Sequence, residues 1–185
     1  MIRAAFAIGG SLTPWRLAIL EATGLPAYHV EVLTSPGWFS AREPVGYGFL
    51  PANAIDANNK DEWITVDFDL EERQSALGWA LAMAALTKTG KAPYSWKNAA
   101  ASACEMAVCY EAKPFCSFAV ANFLVRCGAA TTLIAPVPYP TMLLHKALAY
   151  VGKPAIVAAT EVDQVAVVAA RRRLVALAAQ YEGAV

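Results

Sequence analysis

The sequence has no surplus of charge of either sign: fifteen Lys and Arg balance fifteen Asp and Glu over 185 residues. Holding a polyanion needs a net positive face, so no nucleic acid is expected as a partner. The one basic cluster, Arg171-Arg172-Arg173, reads as a solvated or helix-end feature of a C-terminal helix. Histidine is nearly absent, with only His29 and His145. The four cysteines, Cys104, Cys109, Cys116 and Cys127, show no C-x-x-C spacing, so neither a zinc site nor a thioredoxin motif is indicated. No metal and no other cofactor is expected. The longest uncharged run, Cys127 to Leu144, contains Pro136, Pro138 and Pro140 and is no spanning helix in that form. The apolar start, Met1 to Gly10, is too short and too soon broken by glycine for a signal peptide and reads as a first strand. Reduced thiols are then the default.

What the chain does have is apolar mass. Hydrophobic residues make up 57% and charged ones 16%, which predicts one well-packed domain with apolar surface left over for self-association or a larger assembly. There is no internal repeat, no low-complexity linker and no second-domain boundary. Thr13-Pro14 reads as a helix start, with Thr13 as cap and a stop at Gly24. Ala27 to Thr34 is a strand whose alternation puts His29, Glu31 and Leu33 on one face and Tyr28, Val30 and Val32 on the other. Trp38 to Ala41 is its hairpin partner across Ser35-Pro36-Gly37. A short strand near Phe49 and Leu50 and another from Glu62 to Phe68 follow. Asp69 is expected to cap a helix over Leu70 to Lys88 with Leu77, Leu81, Ala84 and Ala85 at helical spacing. Further helices are expected from Pro93 to about Val108, over Thr141 to Val151 and from Glu161 to Tyr181. Strands early and helices late predict an α+β fold, a small antiparallel sheet packed against helices.

The chemistry concentrates at Phe115-Cys116-Ser117. A proline and an aromatic lead into a cysteine that opens an apolar helical run ending at Gly128, so Cys116 belongs in the first turn of a buried helix. Free N–H groups and the positive end of the helix dipole favour an anion there, which makes the thiol a candidate nucleophile. The plain alternative is a small core hydrophobe. Thiol catalysis needs an imidazole within hydrogen-bond reach, and of the two histidines His29 has a defined strand direction while His145 falls in a helical pattern.

These pieces in order, A-Y-H-V-E-V-L-T-S-P-G-W-F-S-A (Ala27 to Ala41), G-Y-G-F (Gly46 to Phe49), the strand bearing Trp63, P-Y-S-W (Pro93 to Trp96) and F-C-S-F-A-V-A-N-F-L (Phe115 to Leu124), resemble the circularly permuted branch of the NlpC-type papain-like cysteine peptidases, including bacterial and phage forms. The likeness covers about Ile2 to Gly128, and residues 129–185 would be a helical extension of the same single domain. It implies Cys116 as nucleophile and His29 as general base and later acid. It also implies a third polar group that orients the imidazole. Ser40 holds the matching position on the neighbouring strand, with Glu31 the alternative on the histidine's own face. For Glu31 the structural alternative is a cross-strand salt bridge, since a Pro36-Gly37 turn would set it opposite Arg42. The backbone N–H of Cys116 is an oxyanion donor in this scheme. Trp38, Tyr94 and Trp96 are candidate substrate contacts, against the alternative of packing. Three positions depart from the pattern: Ser95 replaces an aspartate, Phe118 replaces a glutamate, and Ser40 is a feeble orienting group.

The function so implied is hydrolysis of an amide bond in peptidoglycan stem peptides. One alternative is thiol-dependent ester or acyl-transfer chemistry on another acyl substrate. The other is a non-catalytic component of a phage particle, assembling through its apolar surface and the stripe Val162, Val165, Val168, Leu174 and Leu177. Without a signal peptide or transmembrane segment, the expected location is the cytoplasm or a phage virion.

Overall fold

The computed structural model describes residues 1–9, 13–23, 27–42, 45–57, 62–104, 115–133, 139–154 and 164–182. Over these the chain has the α+β class its sequence predicts. Strands β1 (Ile2–Ala7), β2 (His29–Thr34), β3 (Gly37–Arg42), β4 (Gly46–Leu50) and β5 (Trp63–Phe68) form one antiparallel sheet in the order β4-β3-β2-β1-β5. β2 is therefore central. Its Val30 and Val32 are fully buried on one face and Glu31 is buried on the other, so the strand is covered on both sides.

The hairpin register differs from the expected one, each β2 residue facing a β3 residue two positions earlier. The turn is Ser35-Pro36, Gly37 already belongs to β3, and Val32 pairs with Phe39, which carries Glu31 opposite Ser40 rather than Arg42. Gly37 adopts a φ of 138°, where a Cβ would collide with the Leu50 carbonyl, and the Thr34 hydroxyl donates to the Gly37 carbonyl at 2.6 Å. Glycine at this position thus lets β4 close over the turn.

Helix α1 (Pro14–Thr23) starts as expected, with the Arg16 N–H donating to Thr13 Oγ1 at 3.3 Å. A one-turn helix α2 (Ala54–Ala57), not anticipated, follows β4. Helix α3 (Gln74–Lys88) begins four residues later than Leu70. Arg73 occupies its cap position, and Asp69 does not. Its buried positions are Ala76, Ala80, Ala84 and Thr87, while Leu81 is 48% exposed. Small side chains let the helix lie close to β4, where Thr87 Oγ1 accepts from the Tyr47 N–H at 3.0 Å and donates to the Ala92 carbonyl. Of the four positions expected to recur on one face, Ala84 is buried and Leu77 half-buried, whereas Leu81 and Ala85 are exposed.

Helix α4 (Trp96–Ala103) is capped by Ser95, whose hydroxyl accepts from the Asn98 N–H at 3.1 Å. Serine in place of the aspartate of the resembled pattern keeps the same capping chemistry. Helix α5 (Cys116–Arg126) begins at the cysteine and packs against β2, β3 and α3. Phe123 of α5 meets Phe39 of β3 with ring centroids 6.0 Å apart, and Phe39 also lies 5.8 Å from Trp79 of α3. A 3-10 turn (Thr131–Leu133) leads toward α6 (Pro140–Tyr150), and α7 (Gln164–Glu182) packs on α1 and α4.

The stripe expected on the last helix divides: Leu174 is fully buried, whereas Val165 and Val168 are 78% and 50% exposed. The Ser11-Leu12 lead into α1, its stop at Gly24, Cys109, the 109–114 loop, Pro136, Pro138 and Val162 lie outside the described residues. Among the described residues no helix is long and apolar enough to cross a membrane.

Candidate active site

β2 delivers His29 and Glu31 two residues apart, hence on one face of the sheet. The His29 Nε2–H donates to Glu31 Oε1 at 3.1 Å. Cys116, at the start of α5, lies near enough to the imidazole for its sulfur to raise the ring's pKa. With Nε2 engaged by the carboxylate, Nδ1 is the nitrogen left for the thiol. Histidine and cysteine lie 87 positions apart in sequence and meet because α5 runs back across β2 and β3.

Glu31 is in turn held by Arg42 of β3. The guanidinium grips both carboxylate oxygens, Nε to Oε1 at 2.9 Å and Nη2 to Oε2 at 2.7 Å. It also donates to the carbonyls of Gly48 and Trp38 at 3.0 and 2.9 Å. The shifted register makes this a diagonal reach rather than a facing pair, and the side chain of Glu31 is only 4% exposed. The ion pair expected from sequence is present, but it is buried and shares its carboxylate with the histidine.

Ser40, the other candidate for orienting His29, is fully buried and donates its one proton to the Val30 carbonyl at 2.6 Å. It serves the sheet backbone, whereas Glu31 is the candidate that is hydrogen-bonded to His29. A second device fixes where β2 begins. Thr141 Oγ1, in the first turn of α6, accepts from the Ala27 N–H at 3.2 Å and donates to the Ala27 carbonyl at 3.0 Å. The strand is thereby held two residues ahead of His29, by a residue 114 positions away that no local pattern marks.

The electrostatics follow from these contacts. Burial alone would lower the pKa of His29. The charge and hydrogen bond of the Cys116 sulfur, then the hydrogen bond and charge of Glu31, outweigh it and raise the value from 6.5 to about 9. Burial pushes Glu31 up, and the hydrogen bonds and charges of His29 and Arg42 overcome that and hold it below 4.5. The chain therefore favours a charged imidazole beside an ionised Glu31.

A cleft of about 190 Å³ opens onto His29, Glu31 and Arg42. Its apolar lining comes from Trp15 and Ile19 of α1, Leu50, Ile55, Trp63 and Tyr94. Of the three aromatics expected to meet substrate, only Tyr94 lines this cleft. Trp38 is buried with its indole N–H donating to the Ala52 carbonyl at 2.7 Å, and Trp96 is buried edge-on against Trp15 with centroids 4.4 Å apart. Cys116 is 3% exposed and is not among the residues lining the cleft. His145, on α6, is not among the residues lining the cleft. Among the described residues no group of His, Cys, Asp and Glu is arranged to hold a metal ion. Arg42 and Thr141 are the residues that sequence reasoning missed as parts of the site, though the H-x-E alternation at His29 was open to reading.

No family model, no curated protein and no solved structure matches this chain.

Proposed function

We propose that this protein is a cysteine hydrolase of the permuted NlpC type that cleaves an amide bond, with peptidoglycan stem peptides as the substrate the resemblance implies. The observation that carries the proposal is the hydrogen bond of His29 to Glu31 beside a cleft, with the sulfur of Cys116, at the start of a buried helix, near enough to the ring to raise its pKa. Nothing in an ordinary core demands that arrangement. The Cys116 thiolate attacks the carbonyl carbon, and the resulting oxyanion is met by the Cys116 N–H, which has no acceptor within its own helix. Imidazolium His29 then gives its proton to the leaving nitrogen, the C–N bond breaks and a thioester remains. Neutral His29 takes a proton from water as the hydroxyl attacks the thioester, releasing the acid and restoring the thiolate–imidazolium pair. Glu31 keeps the ring in the tautomer these transfers require.

Two observations favour other readings. Among the described residues Glu31 is the only carboxylate lining the cleft and is already neutralised by Arg42 and His29, while much of the remaining lining is aromatic and aliphatic. That lining suits an apolar acyl group better than one bearing a free amine, which favours ester hydrolysis or acyl transfer by the same thiol. The burial of Cys116 favours a non-catalytic role in a phage particle. Incubating wild type and Cys116→Ala with purified peptidoglycan and with simple acyl esters separates the three. Stem-peptide fragments from wild type alone support the amidase, and turnover of esters alone transfers the assignment to acyl chemistry. Inertness toward both, with Cys116 alkylated by iodoacetamide no faster than a free thiol and no slower in His29→Ala, would sink the enzyme reading.

A further inference from the structure

We infer that Arg42 is a positioning residue of the site: by gripping both oxygens of Glu31 it keeps that carboxylate ionised, and so holds His29 in the tautomer that can take the proton of Cys116. The inference rests on the thiol-hydrolase reading and extends it to a residue outside the dyad and its orienting carboxylate. A carboxylate as buried as Glu31 is stable as an anion only with paired charge around it. The charged or titratable side chains that meet it or share its cleft are few. Among the described residues they are His29 itself, Arg42 from β3, Cys116 from α5, Arg16 from α1, and Tyr28 and Tyr94. β1 and β5 offer only Ala5, Ala7, Trp63 and Thr65 at the facing positions.

Arg42 alone among these forks both oxygens, and its own place is fixed by the Gly48 and Trp38 carbonyls. Without it, Glu31 takes up a proton more readily. A neutral carboxyl can donate to Nε2 rather than accept from it. His29 then carries its proton on Nδ1, facing the sulfur, and has no lone pair there for the thiol proton. Burial and the fork together thus turn an ordinary ion pair into a device that sets the imidazole's tautomer.

The pH dependence of Cys116 alkylation by iodoacetamide, mapped by mass spectrometry, tests this without a known substrate. In Arg42→Gln the onset of rapid alkylation moves to higher pH and the rate near neutrality falls by about tenfold or more, as for a triad with the wrong tautomer. Arg42→Lys, which keeps the charge but not the fork, restores part of both. Glu31→Gln cannot change protonation, so adding Arg42→Gln to it produces no further shift. That double variant, lacking both members of the buried pair, and Arg42→Lys carry the test if Arg42→Gln does not fold. An Arg42→Gln or Arg42→Lys profile that superimposes on wild type, or a further shift in the double variant, overturns the inference while leaving the dyad standing. Wild-type alkylation that is slow and indifferent to His29→Ala overturns the hydrolase reading and this inference with it.

Discussion

Arg3 of β1 and Asp67 of β5 face each other across the sheet and make the same forked contact as Arg42 and Glu31, with Nε to Oδ1 at 2.6 Å and Nη2 to Oδ2 at 3.1 Å. Both pairs project from the same face, because Arg3 alternates with Ala5 and Ala5 pairs with Glu31. Their surroundings are unlike. The side chains of Arg3 and Asp67 are 47% and 37% exposed, against 19% and 4% for Arg42 and Glu31. Water competes for every bond of the first pair. At the second it is largely excluded, and the carboxylate has a further partner in His29. An arginine and a carboxylate therefore make a weak surface contact at one end of the sheet and a buried ion pair, costly to break, further along it.

The largest expected effect comes from breaking each pair by removing its carboxylate. Glu31→Ala strands a mostly buried guanidinium and is expected to cost about 3–5 kcal/mol. Asp67→Ala leaves Arg3 free to hydrate, at a cost below about 1 kcal/mol. Urea denaturation of both variants measures the difference. Equal losses would show that burial does not separate the two pairs.

Protonation sharpens the same contrast. Glu31 has a folded pKa below its usual 4.5, so the stability it contributes is present above that value and is lost as pH falls through the folded one. His29 has the opposite sign. Its folded value of about 9 lies above 6.5, so its contribution is complete below 6.5 and disappears as pH rises through about 9. Denaturation curves across pH should therefore show stability falling on both sides of neutrality. His29→Gln should remove the alkaline decline and Glu31→Gln should reduce the acid one. An alkaline limb unchanged in His29→Gln would mean that the imidazole is not held as a buried cation beside Glu31.

How much of this could be read from the sequence depends on how local each cause is. Period-two alternation was enough to put His29 and Glu31 on one face, and the Phe-Cys lead into an apolar run was enough to start α5 at Cys116. Choosing Glu31 over Ser40 was beyond it, because that choice turns on how the histidine's neighbours spend their hydrogen bonds. Whether the Ser40 proton goes to an imidazole or to the Val30 carbonyl is settled by three-dimensional packing. The hairpin register turned on a similar detail, the room that Gly37 leaves for Leu50. Thr141 is more remote still, since its hold on Ala27 spans most of the chain. Helix α3 was legible only in part for another reason: its buried stripe is Ala76, Ala80, Ala84 and Thr87, so of the expected Leu77, Leu81, Ala84 and Ala85 only Ala84 belongs to it.

The smallest expected effect concerns salt at the exposed pair. Asp67 is held below its usual 3.8 by the hydrogen bond from Arg3, against a small opposing burial effect, and by the charges of Arg3, Lys153 and the N-terminus. Those charges act largely through solvent, where the Debye length shrinks from about 10 Å at 0.1 M salt to about 3 Å at 1 M. The stability difference between wild type and Asp67→Asn, a few tenths of a kcal/mol at low salt, should accordingly fade at high salt. The difference between wild type and Glu31→Gln should hardly change, because mobile ions do not enter the space between Glu31, Arg42 and His29. If salt eroded both differences alike, the inner pair would have to be in free exchange with solvent, and the case for Arg42 as the keeper of Glu31's charge would fall with it.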